Sequence, residues 1–326
     1  MWKNYLRQIL PDKSVTRIRS AMAKRDRDRR RKIPFTEDDL LFALEHVCGV
    51  RKGDVLFVHS SIDGLAMDVP PRRILEMLID AVGPEGTILM PSYPKLPSYM
   101  YFRSEQVWDV RRTPSYSGLI TEIFRRMEGT RRSLHPTKSV AVRGRLRDEM
   151  IAEHHTNVRP YAATSPYFKF VENGGKAIGI GVSARYIAFI HTIDDYLAER
   201  FPMNVYAEKI ASGRVIDYAG REITVSTLVH DFHVRYDPVG FLRRNVPKER
   251  ADSVVYKGRE FFYADARTVF ETGVELAEKG VTVCSGPLRG FLRSVAEIRF
   301  VHRRSGARER RRQESAVCVP ERKAHS

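Results

Sequence analysis

Cysteine and tryptophan are scarce in this chain: 326 residues hold three cysteines and two tryptophans. Cys48, Cys284 and Cys318 are too far apart and too few for a disulfide framework or a zinc knuckle. They suit a reducing compartment, and the expected location is the cytoplasm. No stretch approaches the roughly 18 apolar residues of a membrane span. Met1-Trp2-Lys3-Asn4 is not followed by an apolar h-region, so no secretory signal is expected. Internal repeats are absent. Gly174-Gly175 and Gly179-x-Gly181 do not open a helix as GxGxxG, which leaves a dinucleotide cofactor unsupported.

Acidic residues are short at the two ends. The formal net charge is +16, but it is not spread evenly. Residues 1–32 carry 12 Lys/Arg against 3 Asp/Glu, and residues 302–326 carry 8 against 3. The stretch between them is nearly neutral. A fold built to grip nucleic acid would carry its charge on a folded face, so nucleic acid is not the expected partner. The run Lys24-Arg25-Asp26-Arg27-Asp28-Arg29-Arg30-Arg31-Lys32 reads as a solvated helix end or linker. The expected organisation is a basic segment over 1–33, one domain over 34–301, and a frayed basic tail over 302–326.

Between the tails, strand and helix signals alternate. Thr36 followed by Asp39 reads as a helix start. Asp54-Val55-Leu56-Phe57-Val58 is a buried strand that feeds a loop at His59-Ser60-Ser61. Pro71 to Val82 is helical, with Ile74, Leu78 and Val82 on one face. Thr87 to Met90 is a second buried strand, closed by Pro91. An amphipathic segment runs from Tyr116 to Met127, a strand from Ser139 to Val142, and a helix from Arg145 to His155. Thr164-Ser165-Pro166 places an N-cap before a helix-opening proline. Lys176 to Val182 is a further buried strand, and Tyr206 to Val225 is strand-rich. The alternation predicts a three-layer α/β/α fold on a parallel or mixed sheet.

The motif-bearing region follows. It reads Trp108-Asp109, Thr113-Pro114-Ser115, Gly118, Glu122, Phe124-Arg125, Gly129, Arg132-Ser133, His135-Pro136, Ser139 and Gly144. With His59-Ser60-Ser61, Gly86 to Pro91 and Ser165-Pro166, this order and spacing resembles the aminoglycoside 3-N-acetyltransferase family, from about Gly53 to about Ala198. The resemblance implies that family's own α/β/α fold, distinct from GNAT acetyltransferases, and acetyl-CoA as acyl donor. It places His59, Ser60, Ser61, His135, Pro136, Ser139, Ser165 and Pro166 along the coenzyme site. Hydroxyls and backbone N–H groups at strand ends and helix N-termini suit the pyrophosphate and amides of CoA.

Phe189-Ile190-His191-Thr192-Ile193-Asp194-Asp195 occupies the place where the family carries His-x-x-Glu, with the histidine as catalytic base. The resemblance therefore implies His191 as base and Asp194 as its orienting acid, because i and i+3 share a helix face. Aspartate is one methylene shorter than glutamate, so Asp195 or a distant carboxylate stays open as the orienting group. Cys48 and Cys284 read as structural. His230-x-x-His233 and His154-His155 lack a third ligand at recognisable spacing, so no metal site is expected.

The implied acceptor is a small-molecule amine: an aminoglycoside, or an amino sugar carried on a nucleotide for a surface polysaccharide. Polycationic aminoglycosides call for clustered carboxylates. Glu208, Asp217, Asp231 and Asp237 are candidates, but lysines and arginines are interspersed among them. A non-catalytic relative of the fold and a homo-oligomer both stay open.

Overall fold

A computed structural model of the chain describes Ala21 and residues 24–285. Within the basic N-terminal segment, residues 24–31 are helical; the tail expected over 302–326 lies outside the described residues. The main sheet has seven strands in the order β10-β11-β6-β1-β2-β5-β4. They are β1 (Val55–Ser60), β2 (Thr87–Pro91), β4 (Arg131–Arg132), β5 (Val140–Gly144), β6 (Lys176–Ile180), β10 (Ala251–Tyr256) and β11 (Arg259–Asp265). β1 runs parallel to β2 and β6, while β5 on one side and β11 on the other run antiparallel to that centre. A separate small sheet joins β3 (Trp108–Asp109), β7 (Ala211–Ile216) and β8 (Glu222–Thr227), and β9 (Arg235–Tyr236) pairs with β12 (Cys284–Ser285).

The three layers follow from the two-residue period of the strands. Phe57, Leu89, Val140, Val142, Ala177 and Phe262 share one buried cluster. Their neighbours Leu56, Val58, Ile88, Met90, Ala141, Ile178 and Phe261 share the other. Helices Pro71–Val82 and Leu119–Phe124 cover the second face. Helices Pro166–Glu172, Thr192–Leu197, Pro238–Asn245 and Ala266–Glu278 cover the first. Each fully buried large apolar side chain contributes about 1.5–3 kcal/mol, so alternation on both faces is enough to hold the layers. The fold is the expected three-layer α/β/α arrangement.

Local signals fare unevenly. Thr36 and Asp39 form a reciprocal capping box, and Ser165 caps its helix by accepting from the Phe168 N–H. The amphipathic segment from Tyr116 to Met127 is α-helical over Leu119–Phe124, because Gly118 enters it at φ 113°, outside helical geometry. The helix read from Arg145 to His155 stops at Ile151. Beyond it the chain turns so that His154 is buried against Ser133 Oγ (2.8 Å) and the Pro160 carbonyl (3.0 Å). β1 runs on through His59 and Ser60, which the sequence places in a loop. Cys48 is buried with its thiol pushed up to about 12 by desolvation, as a structural cysteine should be.

Two close approaches shape the sheet's functional end. Gly64 lies so near β6 that a Cβ there would sit 1.8 Å from the Gly181 carbonyl oxygen. The turn that Ser61 caps is thereby pressed onto the end of that strand. Arg259, fully buried, donates to the carbonyls of Leu65 (2.9 Å), Lys257 (2.6 Å) and Ile33 (2.8 Å), which ties the N-terminal segment to the fold.

Candidate active site

The carboxyl ends of β1, β2 and β6 and the start of β5 gather at one end of the sheet, where ligands of open α/β sheets bind. The register pairs His59 with Gly179 and Pro91 with Val140. Into this end comes the segment after β6, a 3-10 turn Phe189–His191 leading into helix Thr192–Leu197. Phe189, Ile190, Ile193 and Leu197 are buried in the first-face cluster and fix its rotation. His191 and Asp194 then fall one turn apart, on a common side.

His191 Nδ1 lies 3.2 Å from Asp194 Oδ2, and the Asp194 side chain has no exposed area while that of His191 keeps 17%. An ionised carboxylate only accepts, so the proton belongs on Nδ1 and the lone pair on Nε2. Aspartate thus reaches the ring despite its shorter stem. Tyr236 OH donates to the same oxygen at 3.3 Å. Burial pushes the Asp194 carboxyl upward, and the bonds from His191 and Tyr236 oppose that. Asp195 is committed elsewhere: it accepts from Tyr206 OH and the Tyr161 N–H, each at 2.7 Å, and burial pushes it up to about 6. Of the two carboxylates left open by the sequence, Asp194 faces the ring.

The sequence passed over several side chains at this place. His230, 39 positions after His191, stacks its ring at a centroid distance of 4.5 Å from His191, with Nε2 3.9 Å from Asp194 Oδ2. Desolvation, His191 and Lys138 hold it neutral, well below the ordinary histidine range. Tyr161, Tyr206 and Tyr236 wall the pair. Cys284 pairs with Tyr236 across β9 and β12, and its thiol is pushed upward by burial and by Asp194, which fits a structural role. His191, Asp194 and His230 each offer one ligand atom within 4.8 Å of the others, the donor set of a transition-metal site. His233, the histidine paired with His230 in the sequence reading, has no part in that group.

By the two-residue period of β1, His59 shares the face of Phe57 and Ser60 that of Val58, both at the strand's carboxyl end. An aromatic chain links His59 to His191: His191 to Tyr161 (4.9 Å), Tyr161 to Tyr167 (4.6 Å), Tyr167 to Phe57 (5.5 Å) and Phe57 to His59 (5.2 Å). Tyr167 OH also donates to the Lys138 carbonyl. Most of the assigned polar atoms already have internal partners. His135 Nδ1 accepts from the Thr137 and Lys138 N–H groups, which leaves its proton on Nε2, 3.2 Å from Thr227 Oγ1. Ser139 Oγ donates to the Ser133 carbonyl, while Ser61 and Ser165 cap helices and Pro166 opens one. His59 Nε2 and Ser60 Oγ are buried without a hydrogen-bond partner among the described residues, and burial holds His59 neutral, down to about 3.

A family model described as aminoglycoside 3-N-acetyltransferase matches residues 57–278. The aminoglycoside N(3)-acetyltransferase III of Salmonella sp is 29% identical over 157 residues, which is 44% of this chain and 54% of that protein. The chain spans about half the length of such curated relatives. Among solved structures, the sisomicin-bound aminoglycoside acetyltransferase AAC-VIa superposes with a TM-score of 0.64 at 23% identity, over 76% of this chain and 99% of that one. AAC-IIIb in binary complex with CoASH gives a TM-score of 0.61 at 22% identity, over 78% and 99%. At such identities the likeness is one of fold. No described helix is long and apolar enough to cross a membrane.

Proposed function

The chain belongs to the aminoglycoside 3-N-acetyltransferase family, and from that premise we propose that it transfers the acetyl group of acetyl-CoA to an amine on an amino sugar. The observation that carries the reading is the partly exposed His191 ring, held through Nδ1 by the buried Asp194. Acyl transfer to an alkylamine needs a group that takes a proton, since the ammonium form has no lone pair. The ammonium first releases one proton to solvent, and the His191 Nε2 lone pair takes a second as the neutral amine nitrogen attacks the thioester carbonyl. The C–S bond then breaks, the amide forms, and CoA leaves as the thiol, receiving the proton from the imidazolium. Asp194 stabilises the imidazolium without taking its proton.

The coenzyme is assigned to the loops at 59–61, 135–139 and 165–166. His59 Nε2 and Ser60 Oγ support this placement as two of several buried polar atoms that lack a partner among the described residues and can receive one from a ligand. Ser61, His135, Pro136, Ser139, Ser165 and Pro166 shape those loops through the internal bonds described above.

The test is thiol release from acetyl-CoA against a panel of aminoglycosides and amino sugars, in the native protein and in His191→Ala. Turnover should fall at least ~100-fold with coenzyme binding retained; a variant as active as the native protein rejects His191 as base.

A further inference from the structure

The described part of the candidate site contains one charge without a counter-charge, and it is positive. Lys138 lies on the 135–139 loop, half-buried, with Nζ 5.5 Å from the Tyr93 ring centroid and 5.9 Å from that of Tyr161. Tyr161 is also the ring that contacts His191 and His230. Among the described residues the ammonium makes no hydrogen bond and no ion pair. Burial draws it down to about 8, so it remains mostly cationic at neutral pH. Buried cations elsewhere in this fold behave differently. Arg259 satisfies its guanidinium with three carbonyls, and Arg132 donates through its two terminal nitrogens to those of Val110, Thr113 and Ser92, leaving only Nε without a partner among the described residues. The half-buried Lys138 ammonium keeps three donors that no described residue engages, so an acceptor brought by a ligand can take them.

Of the carboxylates that a polycation would need, all but the exposed Glu208 already have a partner. Asp194 holds His191 and Tyr236; Asp195 holds Tyr161 and Tyr206, with Arg159 3.6 Å away. Asp217 is bound by Arg221, and Asp237 caps helix Pro238–Asn245 and pairs with Arg244. Asp231 accepts from the His233 N–H. The coenzyme's own phosphates do not account for Lys138 either. The pantetheine arm separates them from the thioester, whereas Lys138 stands one ring away from the reacting histidine.

We propose that Lys138 is a specificity-determining residue that binds an anionic group on the acceptor, so that the substrate is an acidic amino sugar, such as a phosphorylated one, and not a polycationic aminoglycoside. The proposal rests on His191 marking the reaction centre. It explains how this site dispenses with an acidic groove: the acceptor is attracted by its anion, and the same ammonium disfavours a second positive group beside the amine.

The experiment measures binding, so that it does not depend on turnover. Glucosamine, glucosamine 6-phosphate, UDP-glucosamine and sisomicin are titrated into the native protein, Lys138→Met and Lys138→Arg, each saturated with CoA. At least one of the two anionic sugars should bind ten-fold or more tightly than glucosamine. Lys138→Met should erase that advantage and Lys138→Arg should keep it; Lys138→Gln replaces the methionine variant if the latter fails to fold. A gain for the monophosphate alone, or for the nucleotide-linked sugar alone, identifies the source of the anion. Sisomicin binding more tightly than both anionic sugars, or an advantage that survives Lys138→Met, overturns the proposal. Charge-selective binding without acetylation by the native protein would retire acetyl transfer and leave Lys138's role standing. Efficient acetylation without charge preference would do the reverse.

Discussion

Replacing Asp194 with asparagine tests the hydrogen-bonded pair at the heart of the site. The side chain keeps its shape, but its charge is lost where Oδ2 receives His191 Nδ1 at 3.2 Å and Tyr236 OH at 3.3 Å. A hydrogen bond involving a charged group is worth about 1.5–3 kcal/mol. At 3.2 Å the contact is longer than the 2.7–2.9 Å of strong charge-assisted bonds, so the lower half of that range applies. Converted at about 1.4 kcal/mol per factor of ten, kcat should fall roughly 10- to 40-fold. The loss reaches ~10⁴-fold if the new amide N–H₂ turns towards the ring and forces the proton onto Nε2. The assay is thiol release at saturating acetyl-CoA and acceptor, with CoA affinity and the far-UV circular dichroism spectrum as controls. An Asp194→Asn protein that turns over at the native rate refutes the orienting role.

Tyr236→Phe removes the second donor to Asp194, a long one at 3.3 Å; kcat should drop roughly 10-fold, the low end for a hydrogen bond to a charged group, and an unchanged kcat would make that tyrosine a mere wall. Gly64→Ala forces a Cβ onto the Gly181 carbonyl, so it should cost at least ~1–3 kcal/mol, read as a fall in urea midpoint, and full stability would show that the turn yields freely. Stability should also decline once the pH drops below about 6.5. His59 and His154 are held neutral down to about 3, and His135 and His230 are lowered too, all chiefly by burial. Between those pH limits the unfolded chain binds protons that the folded one refuses, so each such histidine withdraws up to ~1.4 kcal/mol per pH unit as pH falls. Asp195, raised to about 6, and Asp194, also raised by burial, act oppositely as pH falls, but they are two groups against four. Urea midpoints that stay flat from pH 7.5 to 5 would contradict this.

The layered fold was legible because both faces of the sheet are buried and the strands read as short apolar runs between helical periods. His191 and Asp194 were legible because a helix brings i and i+3 together, and that spacing survives in sequence. His230 and Tyr236 were not, since they reach the site from beyond β8 and from β9, across distances that no local period encodes. Lys138 sat in a variable place within His135-Pro136-Thr137-Lys138-Ser139, where nothing marks a lysine as facing inward. Gly118 sets where the helix within Tyr116 to Met127 starts, and the helix read from Arg145 to His155 was overlong because the buried bonds of His154 outweigh continued helix.

Arg259 also decides how this molecule bears load. Its guanidinium grips Ile33 and Leu65 from the first residue of β11, an interior strand bonded on both sides. Pulling on the chain upstream of Ile33 therefore stresses β11 along its length, against many bonds at once, instead of unzipping a border strand one bond at a time. Anything joined to the basic helix would be anchored through that side chain to the middle of the sheet, with the surface Arg27–Asp63 ion pair as a second tie.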